Sequence, residues 1–252
     1  MTEQKIQLSV AVITKNEEEK LPDCLKSISF ADDIVVVDSG STDKTAEIAE
    51  NFGCRVFVEE WKGYGPQKNS AVQKCRNEWV LIVDADERIP DETKKEIKEV
   101  IGNPESADAY SFPRKNFFHG KWIKHGGWWP DESVRLVRRN AGKFHGLTHE
   151  IWVTGGRLKR LDVPIEHYSF KNYSDMLKKL DEYSTLTSHQ LHESGARSHL
   201  LAPVFHCIAM FFKSYILRLG FLDGFDGLII AITAAEGSFF KYAKLLEMQR
   251  YE

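Results

Sequence analysis

Little in this chain points to a membrane span, a disulfide framework or a nucleic-acid binder. Its most apolar runs, Leu200 to Phe212 and Leu228 to Ala235, are interrupted or bounded by Pro203, His206, Lys213, Asp226 and Glu236. A spanning helix needs about 20 apolar residues, so neither run qualifies. The 4 cysteines, Cys24, Cys54, Cys75 and Cys207, are scattered and form no C-x-x-C pair. That spacing disfavours a zinc or redox motif and fits a reducing cytoplasm. The start, MTEQKIQLSV, lacks the basic, apolar and small-residue sequence of a signal peptide, so a cytoplasmic catalytic part is expected. A formal net charge of -3 offers no basic excess for a duplex, and no nucleic-acid partner is expected. A G-x-x-x-x-G-K-[ST] phosphate loop is missing, and Gly63-Tyr64-Gly65 has Lys68 where a dinucleotide fingerprint needs its third glycine.

What is present is the composition of a globular protein, 42% hydrophobic and 28% charged over 252 residues, enough for one sizeable core with an appendage. Short apolar runs alternate with helical periodicity. Strands are expected at Leu8–Ile13, Ile34–Val37, Cys54–Val58 and Trp79–Val83, with helices over 17–28, 42–52, 66–75 and 90–101. Such β-α alternation predicts an α/β fold with a mainly parallel sheet flanked by helices. Ligands of that architecture sit beyond the carboxyl ends of the strands. Three polar tails should therefore converge there: Thr14-Lys15-Asn16-Glu17, Asp38-Ser39-Gly40-Ser41-Thr42-Asp43 and Asp84-Ala85-Asp86.

The third tail poses an electrostatic problem. Trp79-Val80-Leu81-Ile82-Val83 reads as a strand buried on both faces, yet Asp84, Asp86 and Glu87 follow within four positions. Carboxylates this close repel, and each raises the cost of ionising the next. A hard divalent cation, Mg2+ or Mn2+, would answer this, because two carboxylates at i and i+2 can share it while a diphosphate supplies further ligands. Residues 114 to 160 are aromatic and basic, and are expected to line a site for an anion.

Together, Ser9 to Glu17 (SVAVITKNE), Ile34 to Asp43 (IVVVDSGSTD), Gln67-Lys68-Asn69 and Val83 to Glu87 (VDADE) resemble the inverting, GT-A fold glycosyltransferases of family 2. The tract Gly126 to Asp131 with Arg135 to Arg139 and His149-Glu150, plus the apolar tail, is similar to bacterial lipopolysaccharide core β-1,4-glucosyltransferases of the WaaE type. The resemblance implies that Thr14, Asn16, Glu17 and Asp38 hold the nucleoside, that Lys68 and Asp84 lie near the donor, and that Asp86, assisted by Asp84, binds the metal. Asp131 matches the general base, with Glu132 as its rival. Trp128, Trp129, Arg135, His149 and Glu150 would serve the acceptor or accessory functions.

The implied chemistry is transfer of a sugar from a UDP-sugar, UDP-glucose first, to a lipid-linked saccharide such as the lipopolysaccharide inner core. A polyprenyl-phosphate acceptor is the alternative within that chemistry. Outside it stand a nucleotide-sugar pyrophosphorylase, disfavoured by the glycine-poor loop after the first strand, and a non-catalytic nucleotide-sugar-binding module. The expected organisation is a catalytic domain over 1–173, with its nucleotide-sugar half at 1–113 and acceptor half at 114–173, followed by a C-terminal helical extension at 174–252. That extension is expected to meet a membrane surface through Lys213, Arg218, Lys241 and Lys244, or to form a homo-oligomer contact. The implied location is peripheral, at the cytoplasmic face of the inner membrane.

Overall fold

The expected strands all form: β1 (Ile6–Thr14), β2 (Ala31–Asp38), β3 (Arg55–Val58) and β4 (Trp79–Asp84). They lie parallel in the order β3-β2-β1-β4. Alternation along each strand sends side chains to opposite faces. Leu8, Val10 and Val12 of β1 join Leu81 and Val83 of β4 in one apolar cluster, while Ala11 and Ile13 join Val80 and Ile82 in another. Both faces of this sheet are therefore core, which explains runs that are apolar at every position.

The computed structural model describes residues 6–146 and 150–251, which group into two compact units. The first comprises Met1–Arg114 and Glu132–His167, the second Lys115–Asp131 and Tyr168–Glu252. Residues 115–131, assigned by sequence to an acceptor half, thus group with the C-terminal helices.

In the first unit the connecting helices are α1 (Leu21–Ser27), α2 (Thr45–Asn51), α3 (Tyr64–Lys74) and α4 (Asp91–Gly102). Along the chain, after the short β5 (Glu87–Arg88), come β6 (Ala109–Phe118), β7 (Lys121–Trp122), which belongs to the second unit, and β8 (Asp131–Arg138), then β9 (Gly142–His145), β10 (Ile151–Thr154), β11 (Leu158–Arg160) and β12 (Ile165–His167). The sheet extends from β4 through β8, β6 and β12 to β5, and β8 runs antiparallel to β4. β9 and β10 form a separate hairpin. α3 approaches this hairpin closely, with the Gly65 amide donating to the Gly146 carbonyl at 3.2 Å. A Cβ at Gly65 would collide with that oxygen, so only glycine fits.

Two helices start later than their apolar periodicity suggests. α1 begins at Leu21, and α2 at Thr45 rather than at 42. Asn16, Ser41 and Asp43 bond to nearby main chain and hold both loops out of helix, a competition typical of short polar side chains.

The second unit contains β7, α5 (Tyr173–Glu193), α6 (Ala202–Phe211), a π-helical turn Phe212–Leu217, a 3-10 turn Gly220–Asp223 and α7 (Gly224–Tyr251). β7 pairs with the end of β6 through Phe117 and Trp122. The unit's core is Phe118, Ile123, Met176 and Ile230. Among the described residues no helix is long and apolar enough to cross a membrane.

Candidate active site

Register brings the three polar tails together. Thr14 pairs with Asp38 and Ile13 with Asp84, so three adjacent strands end on one row. The first two tails are laced to each other. The Asn16 amide donates to Ser41 Oγ (2.8 Å), Asn16 Oδ1 accepts from the Thr42 amide (2.8 Å), and the Glu17 amide donates to Thr45 Oγ1 (2.8 Å). Asp38 is buried and accepts from the Ser41 amide (2.8 Å) and hydroxyl (2.5 Å). Asn16 takes a positive φ of 54° to make this turn. Two buried polar atoms along this edge, Thr14 Oγ1 and Gln67 Oε1, have no hydrogen-bond partner among the described residues. Such atoms are uncommon in native proteins and mark places where a polar ligand or water belongs.

The positive charge demanded by the acidic tail comes from the chain itself. Arg135 Nη2 lies 2.5 Å from Asp84 Oδ2 and 2.6 Å from Glu87 Oε1. Lys68 Nζ stands 3.1 Å from Asp84 Oδ1 and 2.6 Å from Glu150 Oε1, and Arg114 approaches Glu87 at 3.6 Å. Three carboxylates thus meet three cations, with Arg135, Lys68 and Glu87 buried. Burial alone would push the Asp84 carboxyl up, but Arg135, Lys68 and Arg114 outweigh it and hold Asp84 well below the ordinary carboxylate range. Burial likewise opposes charge on Arg135, and Asp84 with Glu87 reverses the effect.

Asp86 has different company. Its Oδ1 lies 3.5 Å from His167 Nε2 and its Oδ2 lies 3.8 Å from Lys20 Nζ. No group of three or more His, Cys, Asp or Glu side chains that could hold a metal occurs among the described residues. Asp86 and His167 do offer one oxygen and one nitrogen of the right kind to a divalent cation, whose other positions a diphosphate and water can fill.

In the second unit Asp131 Oδ2 accepts from Asn116 Nδ2 at 3.2 Å, and the same amide donates to the Trp128 carbonyl at 2.7 Å. Trp129 meets Trp122 edge to face at 5.1 Å, and Lys115 and Lys124 stand over the Trp122 ring at 5.1 and 4.7 Å. Trp128 instead packs on Phe118 and Phe170 as part of the unit's core.

The family model described as glycosyl transferase family 2 matches residues 9–161, more than half of the chain and inclusive of every residue named at the sheet edge except His167. The chain belongs to glycosyl transferase family 2. An uncharacterized glycosyltransferase of Rickettsia typhi is 30% identical, with 96% of this chain and 87% of the relative covered. The lipopolysaccharide core biosynthesis glycosyltransferase LpsC of Rhizobium meliloti is 29% identical, covering 96% and 93%. Among solved structures, Staphylococcus aureus TarS superposes with a TM-score of 0.50 at 18% identity over 92% of this chain and 55% of that one. Glucosyl-3-phosphoglycerate synthase from Mycobacterium tuberculosis gives 0.50 at 16% identity, over 76% and 81%. These two likenesses concern the fold, which is of GT-A type as expected.

Within this family 2 glycosyltransferase the sequence-predicted residues fall into groups. Thr14, Asn16, Glu17, Asp38, Lys68, Asp84 and Asp86 gather at the carboxyl edge of the parallel strands, and Glu150 joins them through Lys68. Arg135, expected in an acceptor or accessory role, is a buried partner of Asp84 and Glu87. Glu132 pairs with Arg160 at 2.8 Å on an exposed surface. Asp131, Trp128 and Trp129 belong to the second unit. His149 lies outside the described residues. Much of the basic tract is spent internally: Arg138 on Glu78, Arg139 on the Cys75 carbonyl and Arg160 on Glu132 and Asp162. The sequence named Glu87 only as part of the acidic tail and assigned no site role to His167 or Asn116. Glu87 was discoverable, since an acid beside a buried strand demands a cation; His167 and Asn116 carry no local signal.

Proposed function

We propose that this enzyme is a metal-dependent inverting glycosyltransferase that moves glucose from UDP-glucose to a membrane-bound acceptor of the lipopolysaccharide inner core. The observation that carries the reading is the sheet edge: Thr14, Asp38 and Asp84 end on one row, beside the unpartnered buried atoms Thr14 Oγ1 and Gln67 Oε1. The likeness to LpsC, named for lipopolysaccharide core biosynthesis, supports the acceptor class.

In this reading Thr14, Asn16, Glu17 and Asp38 receive the nucleoside, in a cradle whose loops are already tied together before any ligand arrives. Asp86 and His167 hold the Mg2+ or Mn2+, which when bound stabilises negative charge on the leaving diphosphate. Asp84 stays ionised through Arg135 and Lys68, and so keeps Lys68 in place beside the donor. Asp131, positioned by Asn116, takes the proton of the attacking acceptor hydroxyl. Trp129 offers a sugar-stacking face, while Trp128 serves the core. The reaction runs at the cytoplasmic face of the inner membrane, with the protein bound peripherally.

Calorimetric titration with UDP and UDP-sugars, with and without Mn2+ or Mg2+, tests the donor half. Metal-dependent binding with UDP-glucose preferred is expected. Binding of no UDP-sugar under any metal condition would remove the donor assignment. Acceptor trials with lipopolysaccharide core truncations and with polyprenyl phosphate then separate the two acceptor classes.

A further inference from the structure

The second unit turns large apolar side chains outward along one continuous stretch of chain. Phe205, Ile208, Phe212, Leu217, Phe221 and Phe225 are each between 44% and 76% exposed. They belong to α6, the π-helical turn, the 3-10 turn and the first turn of α7, so the exposed face is the tip of a helical hairpin. Exposed apolar residues scattered singly are ordinary on protein surfaces; a run of them this dense is a contact surface.

The charges in this stretch are of one sign where they reach solvent. Lys213 and Arg218 are exposed, and 200–222 holds no acidic residue. The acids that follow point away: Asp223 is buried and accepts from the His125 amide at 2.8 Å, and Asp226 meets His119 at 3.3 Å. Lys244, expected at headgroups, is turned inward onto Asp181 at 2.6 Å and is not part of the face. Apolar side chains beside two exposed cations match an anionic bilayer, where the rings and aliphatic chains enter the acyl boundary and Lys213 and Arg218 stay at headgroup level.

We propose that the tip formed by residues 205–225 docks this enzyme onto an anionic lipid surface without spanning it. The tip is also the support of the segment that carries Asp131. The Gly126 amide donates to the Arg218 carbonyl (2.9 Å), Ser214 Oγ donates to the Gly126 carbonyl (3.0 Å), and Lys121 Nζ donates to the Asp223 carbonyl (2.7 Å). Docking by the tip therefore presents the 121–131 segment at the lipid surface. This deepens the reading of a membrane-bound acceptor, but its test does not depend on the donor or on turnover.

The experiment is flotation of the full chain with phosphatidylglycerol/phosphatidylethanolamine vesicles and with phosphatidylcholine vesicles, over a salt series. The wild type is expected to float with the anionic vesicles and less with the neutral ones, and to be released progressively by salt. The triple substitution Phe212→Glu, Leu217→Glu, Phe221→Glu should lower partition on the order of a hundredfold, since three apolar contacts are replaced by charges repelled from the surface. Lys213→Glu alone should lower it several-fold on anionic vesicles only. UDP titration of each variant reports whether the donor unit is intact, so loss of docking and loss of the donor reading are told apart. Vesicle binding unchanged by the triple substitution would overturn the proposal. So would a wild-type dimer in sedimentation that the triple substitution dissociates while neither protein binds vesicles, because the face would then be an interface between copies.

Discussion

The carboxyl edge of the parallel strands and the C-terminal tip break opposite conventions of a folded protein. At the edge, charged groups are buried: Arg135, Lys68 and Glu87 have almost no exposure, and each is matched by an opposite charge within about hydrogen-bonding reach. At the tip, large apolar side chains are turned outward, 44% to 76% exposed. An enclosed charge network specifies its own geometry, because removing one member leaves another uncompensated. An open apolar face specifies an environment instead. The first kind of region suits the donor site proposed for it, the second the lipid docking proposed for it.

The sharpest test of the edge lies in the role of Asp86. Asp86→Ala should abolish metal-dependent UDP binding and lower kcat/KM by about 1000-fold or more, whereas Asp131→Asn should spare UDP binding and stop transfer to a similar extent. Equal loss of binding in both, measured by calorimetry, would sink the division of labour between the two carboxylates.

The network can be broken next. Arg135→Met leaves the buried Glu87 and the half-buried Asp84 without their shared guanidinium and should cost roughly 3–5 kcal/mol in urea unfolding. A loss below about 1 kcal/mol would mean that Lys68 and Arg114 suffice. A smaller effect is expected from Gly65→Ala, where the added methyl meets the Gly146 carbonyl; about 1–3 kcal/mol is the expected cost. An unchanged unfolding midpoint would show that the β9–β10 hairpin can move away from α3.

Acid stability gives the smallest contrast. Glu59, half-buried between Lys74, Lys62 and Ser70, has its carboxyl pulled down to about 2 by hydrogen bonds from those three side chains. Its folded pKa lies below its unfolded value, so its contribution is fully present above about pH 4.5 and is lost as pH falls toward 2. Glu59→Gln should therefore flatten the stability profile across that window and leave it unchanged in shape above it. A profile with the wild-type slope would assign the acid sensitivity to other carboxylates.

Particular residues show how far reading the chain reaches. Val10, Val12, Leu81 and Val83 were legible as strand core because continuous apolar runs of that length have few other places to go. The gathering of Asp38 and Asp84 was legible because parallel strands joined by right-handed crossovers end on one edge. The helix starts at Leu21 and Thr45 were not, since loop side chains compete there with helical bonds in a way that needs both loops in place. The cation beside Asp84 was anticipated as a metal, yet Arg135 and Lys68 fill that place from 51 and 16 residues away.

Local pattern and composition by themselves determined the alternating α/β architecture, the family, and the edge where the polar motifs meet, because these depend on side-chain period and chain connectivity. Only the tertiary structure decided which charges answer Asp84, that His167 comes beside Asp86, that Asn116 holds Asp131, and that Lys244 turns in while Phe212 and Leu217 turn out. Partners far apart in sequence are chosen by packing, and burial is a property of the whole fold that no single stretch of residues can declare.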